Sequence, residues 1–299
     1  MTTVTVPINP DAFPFGWCVD QEGYEWVQGL DSEPRLVPRI GPGGADSKIR
    51  VYAPFKDANL FLKFASLKPN RADIQRFANC YGVLFDSHPA TSMVRRSGTY
   101  WPAQMFGASL RDWKWAISHM RALVDIWKAT KSADKNFLKR IITWNRKDMV
   151  SYRIRLPFGM SSKATLAAPN VHEDRLDRFK FGDVVTPARY LLQAEINRWI
   201  DNHIIVVPRL VWCPGPRING FAKPDHHHRI VFETTDLLSA MWLQFARAVT
   251  EEYQLQVCEG CSQHFPVGKG ARRSHTRTCS DKCRQRARRN RRRASQAHT

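Results

Sequence analysis

Cys258-Glu-Gly-Cys261 and Cys279-Ser-Asp-Lys-Cys283 are the two stretches that decide the fold of the C-terminal region. Each stretch holds a close pair of cysteines, and 17 residues separate the two pairs. Zinc binds four thiolate or imidazole ligands in a tetrahedron, and two segments that each provide a close pair commonly supply them. The spacing therefore predicts that all four cysteines bind one structural Zn²⁺ ion.

The residues around the cysteines predict a treble-clef-like zinc finger. Gly260 relaxes the backbone of a tight turn between the first two cysteines, and we expect a hairpin containing Phe265 to follow. A helix is expected to begin beside Cys279, so that Cys279 and Cys283 lie one turn apart on the same face. Residue types that cap helices stand at its start: Thr278, Ser280 and Asp281.

Zinc is expected to take the place of a hydrophobic core in this finger, because so short a region buries too little apolar surface to fold alone. Two alternatives remain open at this point. His264 or His275 would replace one of the cysteine ligands, or the cysteines would be four ordinary thiols without a metal.

A run of arginines follows the last cysteine directly. From Cys258 to Thr299, twelve lysines and arginines stand against Glu259 and Asp281, a net charge of +10 out of +19 for the chain. Arginines on all sides of a helix repel one another, and a polyanion would relieve that repulsion. We expect the following residues to contact nucleic-acid phosphates: Arg284, Arg286, Arg288, Arg289, Arg291, Arg292 and Arg293. The expected flanking contacts are Arg272, Arg273 and Arg277.

The alternative interpretation of the arginine-rich segment is a disordered basic tail that only aids solubility.

The rest of the chain has the composition of a globular body. Apolar residues make up 43% of the 299 residues, and all ten tryptophans precede Cys258. We expect residues 1–256 to form a mainly helical body with one small antiparallel sheet, and residues 257–299 to form the finger. The predicted fold class is α+β, mainly α.

Three further observations favour a reducing cytoplasm, including the nucleoid, as the location. The sequence has no apolar run of the length that a membrane span needs. Its N-terminus lacks the basic start and apolar stretch of a secretion signal. Its cysteines have metal-ligand spacing or are scattered, which is not the pattern of a disulfide framework.

Apolar spacing and capping signals predict the helices of the body. Ser109-Leu-Arg-Asp112 fits a capping box before a long amphipathic helix. Thr186-Pro187 is expected to open another helix, with the proline in its first position. A further helix is expected through the apolar residues from Phe137 to Trp144. Tryptophans at helical spacing are expected in the core: Trp113, Trp127, Trp144, Trp199 and Trp242.

Extended structure is expected at fewer places. Residues 204–212 are β-branched and are expected to pair with residues 229–232 as a hairpin. Residues 1–57 are rich in proline and glycine, so short extended pieces such as residues 48–52 are expected there and no longer regular element. Three adjacent histidines within residues 225–229 invite a second metal site, but the pattern favours an exposed polar turn.

The motifs Cys258-x2-Cys261-x3-Phe265 and Thr278-Cys-Ser-Asp-Lys-Cys-Arg-Gln-Arg-Ala287 lie in the finger, and Ala240-Met-Trp-Leu-Gln-Phe-Ala246 precedes it. Phe61-Leu-Lys-Phe-Ala65 is followed by Phe77-Ala-x2-Tyr-Gly82. In these motifs the chain resembles a bacterial family of stress-induced regulators with an ABATE-type helical body and a CGNR-type zinc finger. It has Cys283-Arg-Gln-Arg286 where that finger has Cys-Gly-Asn-Arg. The resemblance implies a helical body, a structural zinc and a role in transcription.

Together, these patterns predict a DNA-binding protein, most simply a transcriptional regulator, that is not an enzyme and has no catalytic residues. Nucleic acid is the expected partner, and DNA is favoured over RNA. Three alternatives stay open: an RNA- or ribosome-associated module, a finger that binds only protein, and a nuclease. A nuclease would have its active site in the body, where His172 and Glu173 are the candidate residues.

Overall fold

The computed structural model describes residues 17–29, 31–39, 49–57, 59–85, 107–146, 149–155, 161–167, 180–203, 207–213, 217–218, 221–222, 227–234, 236–251, 253–262, 264–267 and 275–296. About half of these residues are helical, and their strands form small antiparallel sheets. With the C-terminal cluster of four cysteines, this architecture confirms the predicted α+β, mainly α, fold class.

The helices of the described part have these bounds: α1 (Leu60–Ala65), α2 (Arg71–Tyr81), α3 (Leu110–Ser132), α4 (Lys135–Leu138), α5 (Val185–His203), α6 (Leu237–Thr250) and α7 (Asp281–Gln296). The strands have these bounds: β1 (Trp17–Asp20), β2 (Tyr24–Gln28), β3 (Pro34–Pro38), β4 (Ile49–Tyr52), β5 (Ile142–Arg146), β6 (Met149–Arg155), β7 (Ser161–Ala167), β8 (Val207–Cys213), β9 (Arg217–Ile218), β10 (Phe221–Ala222), β11 (His227–Glu233), β12 (Gln254–Val257) and β13 (His264–Val267).

The chain divides into two compact units. Unit 1 comprises residues 1–57, 68–114 and 197–244. Unit 2 comprises residues 58–67, 115–196 and 245–299, so it includes the finger. The sequence-based boundary between a body at 1–256 and a finger at 257–299 stays a prediction.

Unit 1 combines helix α2 with short antiparallel strand pairs. β1 pairs with β4 and β2 pairs with β3, and α2 lies against β1 and β2. The described residues before position 57 therefore form four strands, of which β4 matches the extended piece that the sequence predicted at residues 48–52. β8 and β11 form the predicted hairpin pair, with Pro208 opposite Phe232.

Tight packing around buried aromatic side chains holds unit 1 together. Helix α2 ends at Gly82, which has a φ of 90°. A Cβ at this position would lie 2.5 Å from Trp17 Nε1, so both the turn and the close approach require glycine. Trp199 and Trp242 stack with their ring centroids 4.8 Å apart, and both are buried as predicted.

Unit 2 is built around three aromatic rings from α1, α3 and α6. The ring of Phe61 lies 6.2 Å from that of Trp127 and 5.4 Å from that of Phe245. Arg121 links α3 to α1, since its Nε donates to the carbonyl oxygen of Ala65 at 2.8 Å. The three-stranded sheet β5–β6–β7 belongs to the same unit.

The capping box at the start of α3 is confirmed. The backbone N–H of Asp112 donates to Ser109 Oγ at 3.1 Å, and the backbone N–H of Ser109 donates back to Asp112 Oδ2 at 2.9 Å. These two bonds satisfy donors that the first turn of a helix otherwise leaves unpaired.

The helix predicted from Phe137 to Trp144 is wrong in its second half. α4 ends at Leu138, and Trp144 lies on β5, where it is opposite Val150 of β6. The indole nitrogen of Trp144 donates to the carbonyl oxygen of Asp183 at 2.7 Å, and its ring is half-buried instead of lying in the core. Strand pairing and this hydrogen bond therefore override the helical spacing.

Two smaller predictions also need correction. α5 begins at Val185, so Pro187 is its third residue, and Asp183 Oδ1 accepts from the N–H of Val185 at 2.9 Å. β11 begins at His227, so part of the turn expected at residues 225–229 is strand. His226 lies outside the described residues.

Among the described helices, none combines the length and the apolar character that crossing a membrane requires.

Candidate metal centre and basic helix

The first cysteine pair lies in the connection of a β-hairpin. β12 pairs with β13 in antiparallel register, and Val257 is opposite His264 at the closed end. Between these two residues the chain turns through Cys258 and Cys261, and the N–H of Ser262 donates to the carbonyl oxygen of Cys258 at 2.8 Å. The hairpin and the first half of the site are therefore one structural element.

The second pair lies at the start of α7, but only one of its members is helical. α7 begins at Asp281, so Cys283 is in its first turn and Cys279 precedes the helix. The prediction that both cysteines occupy one helical face is therefore wrong. Ser280 is the capping residue among the three candidates, because its Oγ accepts from the N–H of Cys283 at 3.2 Å.

A small apolar cluster surrounds the sulfur atoms. Cys258, Phe265, Val267 and Cys283 are all buried, and Cys261 and Cys279 pack against them. Ala287, one turn after Cys283, is 3% exposed. Among the described residues, the cluster contains two apolar side chains besides the cysteines, Phe265 and Val267, which supports a metal ion as the stabilising centre of this region.

The four sulfur atoms lie close enough to bind one metal ion. All four lie within 4.8 Å of one another. Cys279 Sγ is 3.6 Å from Cys261 Sγ and 3.5 Å from Cys283 Sγ. A tetrahedron with Zn–S bonds of about 2.3 Å has sulfur–sulfur edges of about 3.8 Å, so the arrangement is compatible with zinc.

Backbone groups around the site favour negative charge on sulfur. The N–H groups of Gly260 and Cys279 donate to Cys258 Sγ at 3.4 and 3.3 Å. Burial opposes ionisation of Cys258, but these backbone hydrogen bonds and one from Cys261 outweigh it and lower its pKa to about 6. Burial and the neighbouring sulfur atoms instead raise the pKa of Cys279. Four thiolates this close need a cation, because their mutual repulsion otherwise keeps protons on some of them.

Gly260 allows α7 to approach the turn between the first two cysteines. A Cβ at this position would lie 2.4 Å from the carbonyl oxygen of Cys283 and 2.8 Å from its Cβ. Both distances are far below van der Waals contact, so any larger residue would push the two halves of the site apart.

Several of the predicted nucleic-acid contacts are engaged within the finger itself. Arg286 Nη1 donates to the carbonyl oxygen of Gly260 at 3.5 Å. Glu259 lies beside two guanidinium groups, 3.6 Å from that of Arg277 and 3.5 Å from that of Arg291. Arg284 pairs with Asp281 at 2.9 Å. These pairs are exposed, so each contributes about 0–1 kcal/mol.

The other arginines of α7 lie away from the metal centre. Successive residues of an α-helix are rotated by about 100°, which places Cys283 and Ala287 on the buried side. The opposite side carries Arg288, Arg289 and Arg292, which are exposed, and Arg293 lies at its edge; Arg292 also interacts with another group of the chain. We call these first three residues the outer arginines.

Most of the remaining candidate residues lie outside the described part of the chain. Arg272, Arg273, His172 and Glu173 lie outside the described residues, as does the side chain of His264. His275 is exposed and is not part of the cysteine cluster. In the described part of the chain, the metal-ligand cluster therefore consists of cysteines alone.

Glu259 is the residue of this site that the sequence analysis missed. It is one of two acidic residues in the C-terminal region, and it immediately follows a metal ligand. The isolated acid in a strongly basic region was the available signal. Its pairing with Arg291, 32 positions later, depends on how the metal turn and α7 pack.

Comparisons with protein-family models, with curated proteins and with solved structures gave no match for this chain.

Proposed function

We propose that the chain is a zinc-dependent nucleic-acid-binding protein that acts on DNA, as a transcriptional regulator, in the cytoplasm or nucleoid. Its role is binding, without a catalytic site. The observation that carries the proposal is the combination of a compact four-cysteine site with α7, whose outer arginines point away from that site.

Zinc is the metal that best matches the donor set. Four thiolates in tetrahedral spacing suit zinc and other thiophilic ions, and they do not suit hard cations such as Mg²⁺ or Ca²⁺. The ion would connect the β12–β13 hairpin to the first turn of α7. Its role is structural, because all four positions of a tetrahedron are then filled by cysteine.

Duplex DNA fits the dimensions of α7 better than duplex RNA does. α7 has 16 residues and is therefore about 24 Å long. The major groove of B-DNA is about 12 Å wide and admits a helix, whereas the major groove of A-form RNA is too deep and narrow. Arginine forks bind phosphates and guanine edges, so α7 carries side chains suited to both.

A salt titration of the zinc-loaded chain tests the proposal. We expect the Arg288→Ala/Arg289→Ala/Arg292→Ala variant to bind duplex DNA more weakly at every salt concentration. If each outer arginine neutralises one phosphate, the slope of log K against log salt should flatten by about 2 to 3. Fluorescence anisotropy with a labelled duplex measures both quantities.

The matched control removes three positive charges outside α7. Lys68, Lys131 and Lys139 are exposed, and their replacement by alanine changes the net charge equally. This control should leave the slope unchanged, and both variants should retain one zinc per chain. Equal losses in the two variants would refute the role of α7. Tighter binding to structured RNA than to DNA at the same salt would reassign the partner to RNA.

A further inference from the structure

A large cavity in unit 2 lies between α3 and the β5–β6 hairpin. Its volume is about 980 Å³, which is in the range that holds a small organic ligand. Ser118, Ala122 and Ile126 contribute one face of α3, at helical spacing. Residues after α4 and residues of β5 and β6 form the remaining lining. We call this space the α3–hairpin cavity.

The charge of the cavity is positive. Among the described residues of the lining there are three arginines, Arg121, Arg140 and Arg153, and one carboxylate, that of Asp125. Arg121 is held in place by α1, because its guanidinium donates to the carbonyl oxygens of Ala65 and Leu67. Arg140 and Arg153 are exposed, so their guanidinium groups are available to bind an anion.

The lining also offers apolar surface and hydroxyl groups in the same space. Ala122, Phe137 and Ile141 are half-buried and keep accessible apolar surface, so part of any occupant would be in contact with apolar side chains. The polar groups of the lining besides the charged ones are those of Ser118, Thr143, Asn145, Ser151 and Tyr152. A ligand with an anionic group on an apolar frame would match both parts.

One wall of the cavity is fixed by buried hydrogen bonding. The hydroxyl of Tyr152 donates to Glu195 Oε1 at 3.0 Å, and Glu195 Oε2 lies 3.5 Å from His119 Nε2. His119 and Glu195 are 4% and 2% exposed. This network anchors β6, which forms one wall of the cavity, so that wall exists before a ligand arrives and little entropy is lost in forming it.

From these observations we propose that the α3–hairpin cavity binds a small amphipathic organic anion, a carboxylate or phosphate monoester on an apolar ring. Arg140 and Arg153 bind the anionic group, and Ile141 and Phe137 contact the ring. The site is separate from α7, and its existence does not depend on nucleic-acid binding.

Calorimetric titration of the full zinc-loaded chain with 1-naphthyl phosphate and 1-naphthoate tests the site. We expect saturable binding of one equivalent of at least one probe. Inorganic phosphate should bind at least about tenfold more weakly, because it lacks the apolar contacts. The preferred probe distinguishes a phosphate ligand from a carboxylate ligand.

Two variants locate the binding. Arg140→Ala/Arg153→Ala should weaken the preferred probe by about tenfold to a hundredfold, because charge-assisted hydrogen bonds are lost. Lys139→Ala/Arg146→Ala is the matched control, since both residues are exposed, lie nearby in the chain and do not line the cavity. Ala122→Phe fills the apolar part and leaves the arginines in place, so it should also weaken the probe by at least about tenfold.

Absence of saturable binding by either probe in the millimolar range would overturn the proposal. Equal weakening by the cavity variant and its control would do the same. If Arg140→Ala/Arg153→Ala flattens the salt slope for DNA and leaves probe binding unchanged, the cavity arginines belong to a nucleic-acid surface instead.

Discussion

Gly260 and Ser262 lie in the same turn of the metal site, yet the backbone makes opposite demands on them. Gly260 needs the absence of a side chain, because the carbonyl oxygen of Cys283 occupies the space of a Cβ. Ser262 has a φ of 59°, in the left-handed region where residues other than glycine are strained. The turn therefore carries its glycine where space is short, and a serine where glycine would be the less strained residue.

We predict that Gly260→Ala lowers the Zn²⁺ affinity by about 10- to 100-fold, as disruption of the surroundings of a metal site commonly does. Ser262→Gly should preserve the affinity or raise it a few-fold, because relief of a left-handed residue is worth about 1 kcal/mol. Competition with a chromophoric chelator measures both. An unaffected Gly260→Ala variant would contradict the close approach of α7 to the turn.

Residue types and spacing were sufficient to predict that these four cysteines come close enough to bind one metal ion, because the spacing of a metal-ligand motif is a local property of the sequence. The same sequence could not predict that Gly260 contacts Cys283, or that Arg286 and Arg291 turn back towards the metal site. Those contacts depend on the position of α7 relative to the hairpin, which the metal centre sets. From the sequence alone, all seven arginines of α7 were therefore predicted to contact nucleic-acid phosphates.

At the level of elements, the two sides of α7 differ in chemistry. The inner side holds Cys283 and Ala287, and Glu259 of the hairpin turn reaches Arg277 and Arg291 at its border. The outer side presents guanidinium groups to solvent. Glu259 is thus an acid within a basic surface that we propose binds phosphates.

Glu259→Gln is predicted to raise the affinity for duplex DNA by about two- to tenfold, since removing a screened surface charge contributes about 1 kcal/mol. The substitution removes a negative charge from the surface, and Arg277 and Arg291 lose their ionic partner. Glu22→Gln is the control, because Glu22 is an exposed acid of unit 1. A weaker DNA complex in Glu259→Gln would mean that Glu259 orients the two arginines for binding.

Elements with local signals were predicted well, and elements formed by pairing were not. The capping box at Ser109 is encoded within the first turn of α3. Trp144 has helical spacing from Ile141, but its neighbours pair with β6 and form a strand. β1, β2 and β3 lie in a region rich in proline and glycine, so their pairing could not be inferred from a period.

At the scale of the whole molecule, apolar packing is unevenly distributed, so we expect metal removal to unfold the finger and to leave unit 1 folded. The finger has a small cluster around four cysteines, whereas Trp199 and Trp242 stack in the buried interior of unit 1. A strong chelator should therefore remove the helical signal of α7 and the DNA binding. It should leave the near-ultraviolet signal of the stacked tryptophans.

Circular dichroism in both spectral ranges, followed by addition of Zn²⁺, checks this expectation. Both the lost helical signal and the DNA binding should return on addition of the metal. Cys283→Ser should behave as the chelated chain does, while Cys80→Ser, which changes an exposed cysteine outside the cluster, should behave as the unchanged chain. A chelated chain with its helical content intact would show that the finger folds without metal.

Arg121 and Asp125 of α3 line the α3–hairpin cavity and also a smaller cavity of about 280 Å³, which Ser262 and Cys279 of the finger line as well. One turn of α3 is therefore shared by two spaces, one that we propose takes a ligand and one beside Cys279 of the four-cysteine cluster. Suppose that a ligand in the α3–hairpin cavity changes the affinity of the finger for DNA. Thermodynamic reciprocity then requires that bound DNA changes the affinity of the cavity for the ligand by the same factor. A DNA-bound chain and a free chain would then be half-saturated at different concentrations of the same ligand.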